Sequence, residues 1–149
     1  MNWDASVDKY RGRVGIGVII RDHKGLMIAA LRMSRPLYPD PTLAEACWAY
    51  EATKFGLQLG LSKVVLEGDS QQIVSALLTK DKNEFQTDMV TQETQKLLSS
   101  LYEVWSVKHV FRKANRVAHV LARKALFSSE TIVDIEDPPL CISDLLLNE

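Results

Sequence analysis

Cysteine is scarce: the 149 residues hold two, Cys47 and Cys141, far apart in the chain. That excludes a disulfide framework and the paired spacing of a zinc or redox motif. Both read as reduced bystanders, since a cysteine nucleophile needs a positioned base and no pairing in the sequence supplies one. Long apolar runs are also missing. The longest, Val14 to Ile20, is seven residues, well short of the roughly 18 needed to cross a bilayer. No signal-peptide pattern opens the sequence, so the expectation is a soluble intracellular protein, cytoplasmic or nuclear. A cationic excess is absent too: the net charge of −1, taken alone, argues against a protein that coats a polyanion.

The distribution of charge says otherwise. Val104 to Ser129 carries six bases (Lys108, Arg112, Lys113, Arg116, Arg123 and Lys124) and no acid, whereas Glu130 to Glu149 carries six acids and no Lys or Arg. The near-neutral total therefore hides a basic segment followed by an acidic one. With 46% apolar and 25% charged residues, the chain is one ordinary globular domain, long enough to bury a core. The expected division is a domain over 1–128 and an acidic, proline-broken tail over 129–149, in which Leu145 to Leu147 dock or bind a partner.

Val14, Ile16, Val18 and Ile20 recur at period two, Arg21 to Gly25 breaks the run, and LMIAALRM resumes it, which predicts a hairpin. With NWDASV before it, the first third reads as a three-stranded antiparallel meander. Pro36, Pro39 and Pro41 mark an extended linker. Ala44, Trp48, Ala52, Phe55 and Leu59 then recur at helical spacing, with Glu45 on a line of small residues, Ala49, Ala52 and Gly56, that permits close approach to a sheet. KVVLEGD predicts a buried strand, SQQIVSALL a helix, TKDKNEF a short loop, and Thr87 to Leu101 a helix packed through Met89, Val90, Leu97 and Leu98. EVWSVKHVF predicts the fifth strand. Ala114 to Phe127 predicts the last helix, with Asn115 its N-cap. Trp3, Trp48 and Trp105 are spaced as core residues. His23 reads as a turn residue in solvent, and His109 as packed or exposed on its strand.

Asp4, Glu45 and Asp69 stand in segments that read as strand, helix and strand end. Meeting at one point, carboxylates about 4 Å apart repel by roughly 4 kcal/mol per pair at an effective dielectric near 20, so the cluster requires cations or protons between them. Oxygen donors select hard cations, magnesium or manganese, that take a substrate phosphate. Each acid alone has an ordinary reading, Asp69 as the N-cap of SQQIVSALL among them. The joint layout favours phosphodiester hydrolysis.

The element order, the three acids and the run Asn115, Ala118, His119, Leu121 and Ala122 (NxxAH followed by LA) resemble the ribonuclease H fold over roughly residues 2 to 127. The likeness is to the ribonuclease H-like domains of plant retroelement-derived reverse transcriptases. It implies a five-stranded mixed α/β sheet with helices on both faces, and cutting of the RNA strand of an RNA–DNA hybrid, with double-stranded RNA the other candidate duplex. Two Mg2+ or Mn2+ ions would activate a water and stabilise the leaving oxygen. Asp4, Glu45 and Asp69 match the family's metal-binding acids, and His119 stands where the family has a fourth acid. Neutral imidazole in the first turn of a helix brings no negative charge, which implies a weaker second ion and reduced or manganese-preferring activity. Ala5 stands where many members have Gly. Ser6, Ser70, Gln71 and Asn115 match nucleic-acid contacts, and Arg112, Lys113 and Arg116 would attract phosphate. The other readings are a weakly active or inactive nucleic-acid-binding module, and a protein-interaction scaffold built on the acidic tail.

Overall fold

The structure, a computed structural model, describes residues 1–36, 40–79 and 86–148. In chain order the elements are β1 (Asn2–Asp8), β2 (Arg13–Arg21), β3 (Met27–Pro36), α1 (Pro41–Gln58), β4 (Lys63–Gly68), α2 (Gln71–Leu78), α3 (Gln86–Leu101), β5 (Val104–His109), a 3-10 turn (Arg112–Asn115), α4 (Arg116–Ala125), β6 (Ile132–Ile135) and α5 (Leu140–Leu147). This is a mixed α/β fold, with six strands among the described residues rather than the expected five. The chain divides into two compact units, one of Asn2–Leu37 with Arg112–Glu149, the other of Met1 with Tyr38–Phe111. The expected loop at Lys80 to Phe85 and linker residue Pro39 fall outside the described residues.

In the first unit, β1, β2 and β3 form the expected antiparallel meander, and β6 adds to the far side of β3, with Ala29 opposite Ile135 and Arg32 opposite Ile132. The sixth strand comes from the segment expected to be a tail. Its four residues lie among acids and prolines, too short a run for period-two patterning to register, and Arg32 Nη2 fixes it through Asp134 Oδ2 at 2.9 Å. Asp22 organises the β2–β3 turn by accepting from the Lys24 and Leu26 amides at 2.8 and 2.9 Å. Those two amides, with the Leu26 bond the largest influence, hold its carboxyl below the usual value.

Every interior residue of β2 is buried, so the strand is covered on both faces instead of alternating between core and water. Helix α4 covers one face through Val117, Ala118 and Leu121, which join Ile19, Ala30 and Ile142 in the core of this unit, and through buried Ala122. Cys141, Leu145 and Leu146 pack against that cluster, while Leu147 is exposed. The approach of α4 depends on two glycines. A Cβ on Gly17 would overlap the Ala118 carbonyl oxygen and the Ala122 amide, and one on Gly15 would overlap the Ala122 carbonyl.

In the second unit, β4 and β5 pair in parallel, with Lys63 opposite Val104 and Gly68 opposite His109. Trp48, Phe55, Leu66, Ile73, Leu77 and Leu98 are buried in it. Helix α1 starts where expected: the Asp40 side chain accepts from Thr42 N at 2.9 Å, and Pro41 takes a first-turn position where no amide partner is needed. Helix α3 differs from expectation. Met89 is 65% exposed, and the buried line is Thr91, Thr94 and Leu98, because the Thr94 hydroxyl satisfies itself on the Val90 carbonyl at 3.0 Å. Trp3 and Trp48 are core residues, but Trp105 is half-buried. Tyr102 donates its hydroxyl to the Thr53 carbonyl at 2.8 Å, and burial pushes its phenol up to about 12.

Gly17→Ala is expected to destabilise the protein by about 1–3 kcal/mol or more, since the added methyl meets helix backbone rather than a movable side chain. Gly60→Ala is a poor control because Gly60 has φ 77; Ala29→Gly, which removes a buried methyl without any overlap, separates overpacking from simple disturbance of the sheet. Urea unfolding curves equal to wild type for Gly17→Ala would show that α4 does not need this close approach.

Candidate active site

Strand β1 and helix α4 bring together two of the sequence-selected residues, 115 positions apart. His119 Nδ1 lies 2.8 Å from Asp4 Oδ2. An ionised carboxylate only accepts, which puts the ring proton on Nδ1 and leaves Nε2 as the second ring nitrogen. The Asp4 side chain is 12% exposed and that of His119 40%, so the acid is sheltered while the imidazole reaches solvent. Asp4 Oδ1 also accepts from the Ala5 amide at 2.8 Å.

The local cause is the register. Asp4 stands directly opposite Gly17, and Ser6 opposite Gly15, so all four point to the face that α4 covers. The bare backbone at Gly17 admits Ala118, and the next residue of the helix is His119. Ser6 shares that face and is half-buried.

Asn115 differs most from expectation. It occupies the position before α4, but its side chain makes no cap bond. It is 1% exposed, and its Nδ2 donates to the Trp3 carbonyl at 2.9 Å. Its Oδ1 is buried with no hydrogen-bond partner. Asn115 therefore ties the start of α4 to the residue before Asp4. The expected single helix over 114–127 is correspondingly a 3-10 turn followed by the shorter α4.

The other acids lie in the second unit. Glu45, half-buried in the first half of α1, accepts from the Ser70 hydroxyl at 2.7 Å. Ser70 in turn caps α2, its Oγ accepting from Ile73 N at 3.4 Å, so Ser70 and not Asp69 is the N-cap. Asp69 therefore does not serve as that cap. His109 Nε2 lies 3.2 Å from the Asp69 carbonyl oxygen and stacks edge-on with Phe111 at 5.5 Å. Nothing in the alternation of β5 signals this contact, which exists because Gly68 and His109 are partners in the parallel register.

Gln71 is exposed, with its Nε2 bonded to Ser75 Oγ at 3.0 Å. Arg112, Lys113 and Arg116 are exposed around the start of α4, as are Lys108, Arg123 and Lys124. Burial first and Glu51 second push the thiol of Cys47, two residues from Glu45, up, which disfavours thiolate.

Among the described residues no group of three or more His, Cys, Asp or Glu side chains forms a ready-made metal cage. What fits a hard cation is the donor chemistry. Asp4, Glu45 and Asp69 offer carboxylate oxygens, and the first two are oriented by a neutral or imidazole donor from their own unit, as ligating carboxylates are.

A family model described as reverse transcriptase-like matches residues 2–125. Among solved structures, the chain is similar to RNase H1 from the halophilic archaeon Halobacterium salinarum, at 24% identity and a TM-score of 0.75 over 85% of this chain and 95% of that one. It is similar also to the N-terminal RNase H domain of a Mycobacterium tuberculosis protein, at 17% identity, TM-score 0.71, 85% and 91% coverage. LC11-RNase H1, from a compost metagenome and solved with an RNA/DNA hybrid, gives 22% identity, TM-score 0.70, 84% and 96% coverage. At these identities the likeness is one of fold. No curated protein matches by sequence.

Asn115→Ala should destabilise the protein by about 1–3 kcal/mol, because it removes a buried hydrogen bond to the Trp3 carbonyl. Asn115→Asp, which keeps the shape and loses the donor, should do so at least as strongly. Chemical denaturation of both variants is the check; an Asp variant as stable as wild type would remove Asn115 from the account of how β1 is held.

Proposed function

Because the chain belongs to the reverse transcriptase-like family and has a ribonuclease H fold, we propose that it is a metal-dependent endoribonuclease that hydrolyses the RNA strand of RNA–DNA hybrids. Within the family it is read as a plant retroelement-derived member. The observation that carries the reading is the Asp4–His119 pair at 2.8 Å: two positions matched only by motif prove to be neighbours in space.

Asp4, Glu45 and Asp69 are the proposed ligands of Mg2+ or Mn2+, two ions in the full reading. A bound cation supplies Lewis-acid polarisation of the scissile phosphate and a more acidic water. The chain's own part is orientation. His119 fixes one Asp4 oxygen and the Ala5 amide the other, so the carboxylate is held in a single rotamer. Ser70 fixes Glu45 and at the same time opens α2, whose first amides favour an anion. Arg112, Lys113 and Arg116 attract the backbone of the duplex without reading its bases.

A second reading is favoured by the same pair. His119 contributes no negative charge where the family has a fourth acid, so a nucleic-acid-binding module with little or no cleavage is the alternative. Incubation with hybrid labelled on the RNA strand, in Mg2+ or in Mn2+, separates the two: RNA fragments are expected, while binding without fragments in either metal supports the module.

Asp69→Asn, which keeps size and removes charge, should lower hybrid cleavage by roughly a hundredfold or more with an unchanged fold. Wild-type cleavage by the folded variant removes Asp69 from the site.

His119→Asp should shift the magnesium dependence of cleavage to lower concentration, by about tenfold, by restoring a carboxylate beside Asp4. His119→Ala, lacking both charge and hydrogen bond, should not. Rates measured across magnesium concentration decide this, and a lower rate for the Asp variant at every concentration would mean that the imidazole itself is required.

A further inference from the structure

The end of β1 away from Asp4 leaves aromatic surface uncovered in a region the proposed chemistry does not use. Tyr10, in the β1–β2 turn, is 99% exposed, and Phe127, just beyond α4, is 75% exposed. Cations flank these rings in sequence, and one of them lies over Phe127. The Arg11 guanidinium carbon lies 5.7 Å from the Phe127 centroid, and Lys9, Arg123 and Lys124 are exposed in the same two segments. The two segments are neighbours: Leu126, beside Phe127, lies against Gly15 near the start of β2. Arg13 Nη2 donates to Ser34 Oγ, which donates to the Ser128 carbonyl, at 2.7 and 2.9 Å. The acids here are Asp8, 3.6 Å from Arg11 Nε, and exposed Glu130, which leave the patch net positive.

A ring held almost wholly in water forgoes the stabilisation of burial, and two such rings flanked by cations are the ingredients of a stacking platform. Every base offers a π-face to an aromatic ring or a guanidinium plane, while Lys and Arg follow the phosphates. A duplex keeps its base faces stacked inside, so the matching ligand has unpaired bases. A lipid surface would be met by Leu, Phe and Trp along one helix face, which this turn-built patch lacks.

We infer that this patch is a separate surface for single-stranded RNA or DNA, with unpaired bases stacked on Tyr10 and Phe127 and phosphates held by Lys9, Arg11, Arg123 and Lys124. Asp8 is four residues along β1 from Asp4, roughly 13 Å at about 3.3 Å per residue, so binding here needs none of the proposed metal ligands.

The test is fluorescence anisotropy of labelled oligo-U and oligo-dT with the full chain in EDTA, where cleavage cannot contribute. Tyr10→Ala with Phe127→Ala should weaken binding by about tenfold or more, and Tyr10→Trp alone should retain it. Lys9→Ala with Lys124→Ala should reduce the slope of log affinity against log salt by about 1.4, at about 0.7 per phosphate contact on a single strand. Comparison of the two oligonucleotides distinguishes an RNA ligand from a DNA ligand. Ultraviolet crosslinking, mapped to peptides containing Tyr10 or Phe127, reads the same contact without any substitution. Equal affinity for the aromatic double variant, or crosslinks that map elsewhere, would overturn the inference. So would binding to phosphatidylserine vesicles without binding to either oligonucleotide. None of these outcomes depends on whether hybrid is cut.

Discussion

Two glycines on β2 govern how close a helix can come to a strand. Side chains normally hold helix and sheet apart; at Gly15 and Gly17 the backbone of α4 occupies the space a Cβ would fill. Ala118 and Ala122, the helix residues at the contact, are equally small. The spacing of the two glycines matches the strand's period and that of the two alanines the helix's, so four positions together set depth and register. From this follow the placement of His119 beside Asp4 and of Asn115 beneath Trp3. The site geometry of this unit is thus a consequence of missing side chains, and substitutions that add atoms at the glycines act on the acid at a distance.

Asn115 shows how a packed unit accepts an imperfect polar group. Its amide nitrogen donates to the Trp3 carbonyl, and its oxygen is left buried without a hydrogen-bond partner. An unpaired buried acceptor costs free energy, and the fold carries that cost at the joint between the strand bearing Asp4 and the helix bearing His119. In the other unit the same task falls to a hydroxyl. Ser70 serves a helix end and a glutamate at once, so one short side chain links secondary structure to the candidate chemistry.

The legible parts of the sequence are those where one periodicity dominates. The β2–β3 hairpin follows from alternating Val and Ile broken by Arg21 to Gly25, and α1 from its apolar stripe and the prolines before it. Its match in the structure extends to the buried small residues in line with Glu45, Ala49, Ala52 and Gly56, whereas the cap, Asp40, is not read from the sequence. Helix α3 is misread at Met89 because hydrophobicity alone ranks it above Thr91 and Thr94; the Thr94 hydroxyl is satisfied on the preceding turn, while the Thr91 hydroxyl is buried without a hydrogen-bond partner. Strand β6 is hidden by its acids. Asp4 and His119 were each identified by motif, yet their contact has no local signal, since it is made by the packing of α4 on β2. The role of His109 at the Asp69 carbonyl is invisible for the same reason: it arises from a parallel pairing between strands separated by two helices. Asn115 stands at the N-cap position as expected but makes no cap bond, for the residue type that favours a cap also suits a buried amide, and the sequence does not distinguish them.

Strand β6 has a consequence for the protein among its neighbours in solution. Without it, β3 would present a row of free amides and carbonyls, the kind of edge on which a second chain can add a strand. The segment that occupies this edge is four residues long and belongs to a stretch with six acids and no Lys or Arg. Two copies meeting edge to edge would bring like charges together along a seam too short to compensate. Asp134 within the strand is paired to Arg32, so the like charge a second copy would meet comes from exposed Glu130, Glu136 and Asp137 on either side of the strand.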